Sequence, residues 1–393
     1  MELRFYKKIK KAVIPISGLG AKMLDKVKRP LGITKFQAKI ALMCLCAGVS
    51  YGLNGICVIL LMTVISRLSI GRDCAASHGI SSTDSSRLGG VAIVLIFGTC
   101  FFINLLLTPY TPMVFSLEHE MYMWLAILFC IFLGLAEDIK ADFLTPILRL
   151  MAKFAVWGCF FWLWPDMIPK QLGIMGLDDL LQIPMLGWLL TTTFFVGFIN
   201  AFNMADGANG LVPGIGFAAF VIFFLEYGRP IDELLLFAFT MFLLFNVISG
   251  WFFLGDTGSY GLGAIILGYG LIGTIEGDFS IWFMLSLVAY PCLDFVASIM
   301  RRLASGSSPF VADDGHLHNH LHRKLKLVFS SKVAANSITG LLISGCTAGL
   351  VLLGYITSWR AADSPDWVWL FVAEAGLYLL VMIWLIQQSQ KEG

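Results

Sequence analysis

The chain has 393 residues, of which 58% are hydrophobic and only 13% charged, and its mean hydropathy is +0.81. Average soluble domains carry roughly 25% charge, so the composition excludes a soluble globular protein and points to an all-α, polytopic membrane protein. A spanning barrel of alternating strands would be less apolar, so helices carry the spans, and a net charge of +1 says nothing about partners.

Residues 1–39 hold eleven Lys or Arg against two acids, Glu2 and Asp25. Such a segment reads as an interfacial stretch lying on anionic lipid rather than a nucleic-acid tail. It stands apart from a transmembrane domain at 40–393. The first uncharged run begins at Ile40, too late for an ordinary cleaved signal peptide.

Uncharged length predicts about eleven transmembrane helices: roughly 40–66, 88–107, 121–137, 148–165, 185–203, 210–226, 233–251, 260–276, 279–300, 336–357 and 367–387. Gly48, Gly52 and Gly55 suit the first span to close helix contact. Arg149 and Lys153 near the start of the fourth place its first turns at the interface. The nine cysteines show no metal-knuckle spacing.

The polar motifs follow the odd-numbered spans. Arg87-Leu88-Gly89-Gly90 follows the first, Glu137-Asp138 the third, and Asn200 to Gly210 the fifth. Gly255-Asp256-Thr257-Gly258-Ser259 follows the seventh. Asp294, Arg301, Arg302 and a histidine-rich run close the ninth. All therefore lie on one membrane side, which suggests one shared site. The loops of that side, with their flanking turns and the C-terminus, hold thirteen Lys or Arg against three opposite, Lys170, Arg229 and Arg360. By the positive-inside rule the site is cytoplasmic. Eleven spans would then leave the basic N-terminal segment outside. Either that segment is anomalous, or the first apolar run is a re-entrant hairpin turning at Gly52-Leu53-Asn54-Gly55.

Carboxylates at 137, 138, 206, 256 and 294 gathered on one face would repel one another. A divalent cation resolves this, and hard oxygen ligands suit Mg2+, which takes one or two carboxylates plus substrate phosphates. Arg301 and Arg302 suit an anionic substrate.

Taken together, these motifs resemble the polyprenyl-phosphate N-acetylhexosamine-1-phosphate transferase family, from about Arg87 to about His320. Arg87-Leu88-Gly89-Gly90 is similar to the family's Arg-x-Gly-Gly, and Asn200, Asn203, Asp206 and Gly207 to its Asn-Ala-x-Asn-x-x-Asp-Gly loop. Phe253 and Gly255 to Ser259 resemble its Phe-x-Gly-Asp-x-Gly-Ser loop. Asp294, Arg301, Arg302, Ser308-Pro309-Phe310 and Gly315-His316-Leu317-His318 resemble its ninth-helix exit and histidine motif. Departures are Glu137 for the first aspartate of a pair, Asn209 for a second aspartate, Asp314 for arginine and Asn319 for histidine.

The resemblance implies transfer of a sugar 1-phosphate from a UDP-sugar to undecaprenyl phosphate, with release of UMP, at a bacterial inner membrane. It implies Asp256 as the Mg2+ ligand, and Glu137 and Asp138 as groups that position or deprotonate the lipid phosphate. Arg87, Asn200, Arg301 and Arg302 would bind substrate; Asn203, Asp206 and Phe253 would hold the uridine end. His316 and His318 would meet phosphate or sugar, and gain a proton beside a diphosphate. Without the resemblance, Asp138 is a helix cap, Phe253 apolar surface, and Arg301 and Arg302 positive-inside anchors. Asp294 pairs with an arginine, and His320 and His322 are solvated. Two other classes stay open: a secondary transporter using intramembrane carboxylates, and a scaffold that has lost activity. A homodimer is compatible with the sequence.

Overall fold

The computed structural model describes residues 34–68, 72–73, 85–107, 118–140, 143–306, 308 and 314–392. The basic segment up to residue 33, Pro309 and Phe310 lie outside them. The described chain is all-α, apart from one antiparallel pair of two-residue strands, β1 (Arg72–Asp73) and β2 (Ser85–Ser86).

Helix α1 (Lys35–Ile65) opens on a capping box, Thr34 with Gln37. It is not one straight span. Tyr51 and Gly52 leave helical geometry, Gly52 at φ 60. A Cβ on Gly55 would collide with the Ala47 carbonyl oxygen, an approach only a reversed chain can make. The Arg67 guanidinium lies 4.1 Å from the centre of the Phe36 ring. A straight helix would separate those residues by about 46 Å. Helix α1 is therefore a hairpin whose two arms end together. Those ends sit by the end of α8 (Pro230–Ser249), where Lys39 Nζ donates to the Ser249 carbonyl and Phe36 stacks on Trp251 at 4.8 Å. Its tip reaches Tyr51, 4.9 Å from Phe237. From Ser249 to Phe237 is about 18 Å along a helix, well short of the roughly 30 Å hydrocarbon core. The re-entrant alternative is the correct one, with both arms ending beside the end of α8.

Among the described residues, seven helices are long and apolar enough to cross a membrane, or up to nine if each bent pair is one span. The count of eleven is not confirmed, and α1 is among the seven by length and composition alone. The others are α3 (Glu118–Ile139), α4 (Pro146–Leu163), α6 (Pro184–Ala205), α8, α9 (Gly255–Glu276) and α15 (Val368–Glu392). The bent pairs are α10 (Ile281–Leu287) with α11 (Ala289–Ala304), at 79°, and α13 (Lys332–Cys346) with α14 (Ala348–Ile356), at 47°. The shorter α2 (Gly89–Leu107), α5 (Leu177–Leu181), α7 (Val212–Tyr227) and α12 (Leu317–Val328) complete the helices.

Helix α9 is the centre. It is buried along nearly its whole length, packing on α2, α3, α6 and α7. Small residues allow the approach: Gly90 of α2 lies against Gly258, and Gly263 against Phe202 of α6. The N-terminus of α9 is thus held where α3, α4 and α6 also end or begin, and the site forms there.

Candidate active site

The segment leading into α2 is clipped to the loop before α9 by backbone bonds. Ser86 N–H donates to Trp251 O (2.9 Å), Phe253 N–H to Ser86 O (3.0 Å) and Gly89 N–H to Phe253 O (3.1 Å). This sets Arg87 and Phe253, both half-buried, beside Asp256. Gly255 turns the loop at φ 67, and a Cβ there would collide with the Arg87 carbonyl and lie 2.7 Å from both Asp138 oxygens.

Asp138 accepts the Asp256 N–H at 2.9 Å, the Thr257 N–H at 2.8 Å and the Thr257 hydroxyl at 2.6 Å. A carboxylate at a helix N-terminus satisfies orphan donors and meets the positive end of the dipole. The helix capped is α9, not its own. Asp256 Oδ1 accepts from Asn203 Nδ2 (2.7 Å), which also reaches Ser259 Oγ (2.9 Å). Asp256 Oδ2 faces Arg149 Nη1 at 3.4 Å, and the same nitrogen is 3.4 Å from Glu137 Oε2. The other Glu137 oxygen accepts the Leu144 N–H at 2.7 Å. Asp206 Oδ2 accepts the Gly255 N–H at 3.2 Å. Burial pushes the Asp206 carboxyl up to about 8, and the negative charges of Asp138 and Asp256 add to the rise. Asp256 is the carboxylate of this group turned outward, its side chain 24% exposed.

Asn200 Oδ1 accepts from Lys153 Nζ at 2.7 Å. Lys153 is wholly buried and lies 3.7 Å from the centre of the Tyr260 ring. Asn209 is 2% exposed: its N–H donates to Asn336 Oδ1 (2.8 Å), its Nδ2 to Ser337 (3.3 Å), and its Oδ1 accepts from Asn246 (3.4 Å). An amide both gives and takes bonds there, which a carboxylate could not do.

The histidines form a second cluster. His316 precedes the first residue of α12 with non-helical φ/ψ, so the one-face rule for helices does not bind it, and its ring stacks on His318 at 5.3 Å. His316 Nδ1 bonds Asp294 Oδ2 at 2.5 Å, and Asp294 Oδ1 accepts the Tyr378 hydroxyl (2.8 Å) and the Leu317 N–H (3.2 Å). Asp294 thus pairs with histidine and tyrosine, where the sequence suggested arginine. Arg301 and Arg302 lie half-buried in the last turn of α11. The two clusters meet where His318 Nε2 lies against Gly207, next to Asp206. Burial holds the His318 ring down at about 4. One expectation needs correction. His322 is 3% exposed, not solvated, and burial lowers it to about 4 as well.

Sequence reasoning gave no site role to Arg149, Lys153, Tyr290 or Tyr378. Arg149 and Lys153 carried a signal: two cations four apart share one face of an otherwise apolar helix. Among the described residues, no three His, Cys, Asp or Glu side chains are grouped so as to hold a metal. The donors that remain still suit Mg2+. They are oxygens, Asp256 is turned outward, and Mg2+ asks for only one or two carboxylates with phosphate oxygens.

The structure defines a multi-span helical membrane protein with a carboxylate, arginine and histidine site at one end of its central helix. The chain matches the model of glycosyl transferase family 4 over residues 120–274, from α3 through nearly all of α9. It is 27% identical over 243 residues to the undecaprenyl-phosphate alpha-N-acetylglucosaminyl 1-phosphate transferase of Thermotoga maritima, covering 62% of this chain and 72% of that one. It is 31% identical over 185 residues to the probable undecaprenyl-phosphate N-acetylglucosaminyl 1-phosphate transferase of Bacillus subtilis, 42% of this chain and 52% of the relative. To the corresponding alpha-N-acetylglucosaminyl enzyme of Escherichia coli K12 it is 31% identical over 209 residues, 49% and 54%. The matches thus span about half the length of the latter two relatives.

Proposed function

We propose that the protein transfers a sugar 1-phosphate, an N-acetylhexosamine 1-phosphate, from a UDP-sugar to undecaprenyl phosphate, releasing UMP. The site would face the cytoplasm from a bacterial inner membrane. The observation that carries the reading is Asp256, turned outward between Arg149 and Asn203 on a turn pinned by Asp138. The names of the relatives supply the reaction class.

The lipid phosphate monoester has a second pKa of about 6, so near pH 7 it is mostly dianionic and needs little help from a base. One of its oxygens forms a bond to the β-phosphorus of the UDP-sugar as the bond from that phosphorus to the UMP oxygen breaks. Such transfers depend on positioning and charge neutralisation. Mg2+ held through Asp256 would supply part of that neutralisation. The rest falls to this chain's cations. Arg149, tethered by Glu137 and 21% exposed, can turn from carboxylates to phosphate oxygens. Lys153, fixed by Asn200 and Tyr260, contributes a buried positive charge behind them. Asp138 spends both oxygens on the α9 turn, so its part is to aim Asp256. Glu137 keeps the lipid-phosphate role through Arg149. Asn203, Phe253 and Asp206 would hold the uridine end, with Arg87, Arg301 and Arg302 for anionic groups.

Purified protein given undecaprenyl phosphate and a panel of UDP-sugars, with and without EDTA, tests this by UMP release. UMP should form with at least one UDP-N-acetylhexosamine, stop on chelation, and stop in Asp256→Asn. No UMP from any donor would sink the reading; turnover that survives chelation would remove the metal from it.

A further inference from the structure

We propose that Asp294, Tyr378 and Tyr290 hold the stacked rings of His316 and His318 in opposite tautomers, so that His316 can take up a proton while His318 remains a neutral donor. This deepens the transferase reading and rests on it for the meaning of the two rings, though not for their protonation.

The argument is a count of protons. Asp294 is an acceptor only: Oδ1 already takes the Tyr378 O–H and the Leu317 N–H, and Oδ2 meets His316 Nδ1. The proton in that last bond is therefore on His316 Nδ1, and Nε2 is left bare. Around His318 the count comes out the other way. The Tyr290 oxygen accepts the His318 backbone N–H at 3.2 Å, and its own hydroxyl lies 2.7 Å from His318 Nδ1. The backbone bond leaves the tyrosine proton free to point at the ring, so Nδ1 accepts and Nε2 carries the hydrogen. That Nε2–H edge lies against Gly207, beside Asp206 of the other cluster.

The surroundings keep the two rings different. His316 faces a carboxylate, so a proton arriving on Nε2 makes an imidazolium whose charge Asp294 balances. His318 faces Tyr290 on one side, the first ring on another and His322 one turn along, and burial holds it neutral. The other charged groups nearby are Arg301, beside Tyr378, and Lys326, beside His322. Tyr290, Asp294 and Tyr378 are thus positioning residues. Tyr378 comes from α15, far along the chain from the segment that matches the family, and it brings the last helix into the site.

The chain has six histidines, few enough for a 15N-histidine spectrum of the intact protein in detergent, recorded without substrate. Resonances are assigned by loss in His316→Gln and His318→Gln. In its neutral form His316 should show protonated Nδ1 and bare Nε2, and His318 the reverse. Tyr290→Phe should mix the His318 tautomers and leave His316 unchanged. The same tautomer on both rings, or a wild-type His318 that titrates near pH 6.5, overturns the proposal whatever the activity. In turnover, Tyr378→Phe should lower kcat about tenfold with the UDP-sugar KM within about twofold. An unchanged kcat would mean that the Tyr378 hydroxyl positions nothing. Absence of UMP release by the wild type would instead count against the transferase reading and leave the spectrum standing.

Discussion

Gly207→Ala adds a single methyl where the two clusters meet. The new Cβ would collide with His318 Nε2 and stand 2.9 Å from Cδ2 and 3.1 Å from Cε1. Ordinary contact starts near 3.4 Å, so the ring or the loop must yield by about 0.5 Å at Cδ2 and by about twice that at Nε2. The ring has little freedom to do so, because Tyr290 bonds both its Nδ1 and its backbone N–H and His316 stacks on its face. The Asp206 loop is tied to Gly255. Overpacking of this kind costs about 1–3 kcal/mol of stability, and a misplacement of about 1 Å in a site costs on the order of a hundredfold in rate. The expected outcome is UMP release about a hundredfold slower, in a protein whose melting temperature in detergent falls by only a few degrees. Gly376→Ala, in open space on α15, is the control and should change neither rate nor melt. If Gly207→Ala keeps wild-type turnover, the histidine pair and the Asp206 loop do not form one site.

Four further outcomes follow from the same geometry. Asp138→Asn would set amide hydrogens against the backbone donors of Asp256 and Thr257; thermal melting should show a loss of about 3 kcal/mol, and an unchanged melt would deny Asp138 its capping role. Asn209→Asp buries a charge among Asn246, Asn336 and Ser337 and should cost about 2–3 kcal/mol; a stabilised variant would contradict the network. His318 is lowered from 6.5 to about 4, so the unfolded chain binds its proton first; stability should fall by about 3 kcal/mol as pH drops from 6.5 to 4, and the slope should flatten in His318→Gln. Cysteine labels at residues 10 and 388 should react from the same side of sealed vesicles, whereas labelling from opposite sides would refute the hairpin.

The sequence made the membrane class and the sharing of one face legible, because charge in an apolar chain is sparse and its placement is constrained. It brought Glu137, Asp138, Asn203, Asp206 and Asp256 to one place for the same reason. It could not show that Asp138 caps α9, since that needs the register of two distant helices, nor that Asn200 serves Lys153. The first apolar run was ambiguous because a hairpin and a span share one composition. What separates them is the contact of Gly55 with Ala47, invisible in periodicity. Tyr378 was hidden among lipid-facing residues of α15, where a lone tyrosine reads as an interfacial ring.

The hairpin of α1 bears on how the protein is made. A helix that crosses the bilayer commits whatever follows it to the far side, and every charge in that loop must be carried through. Here the part that goes deepest is Tyr51-Gly52-Leu53-Asn54, which has no charge to carry. Both arms return to the end of α8 where they start, so Lys35 and Lys39, the basic residues at the base of the first arm, meet no translocation barrier. The hairpin can therefore insert as a wedge before any loop has been exported, and the choice of orientation passes to α2, the first described helix after it.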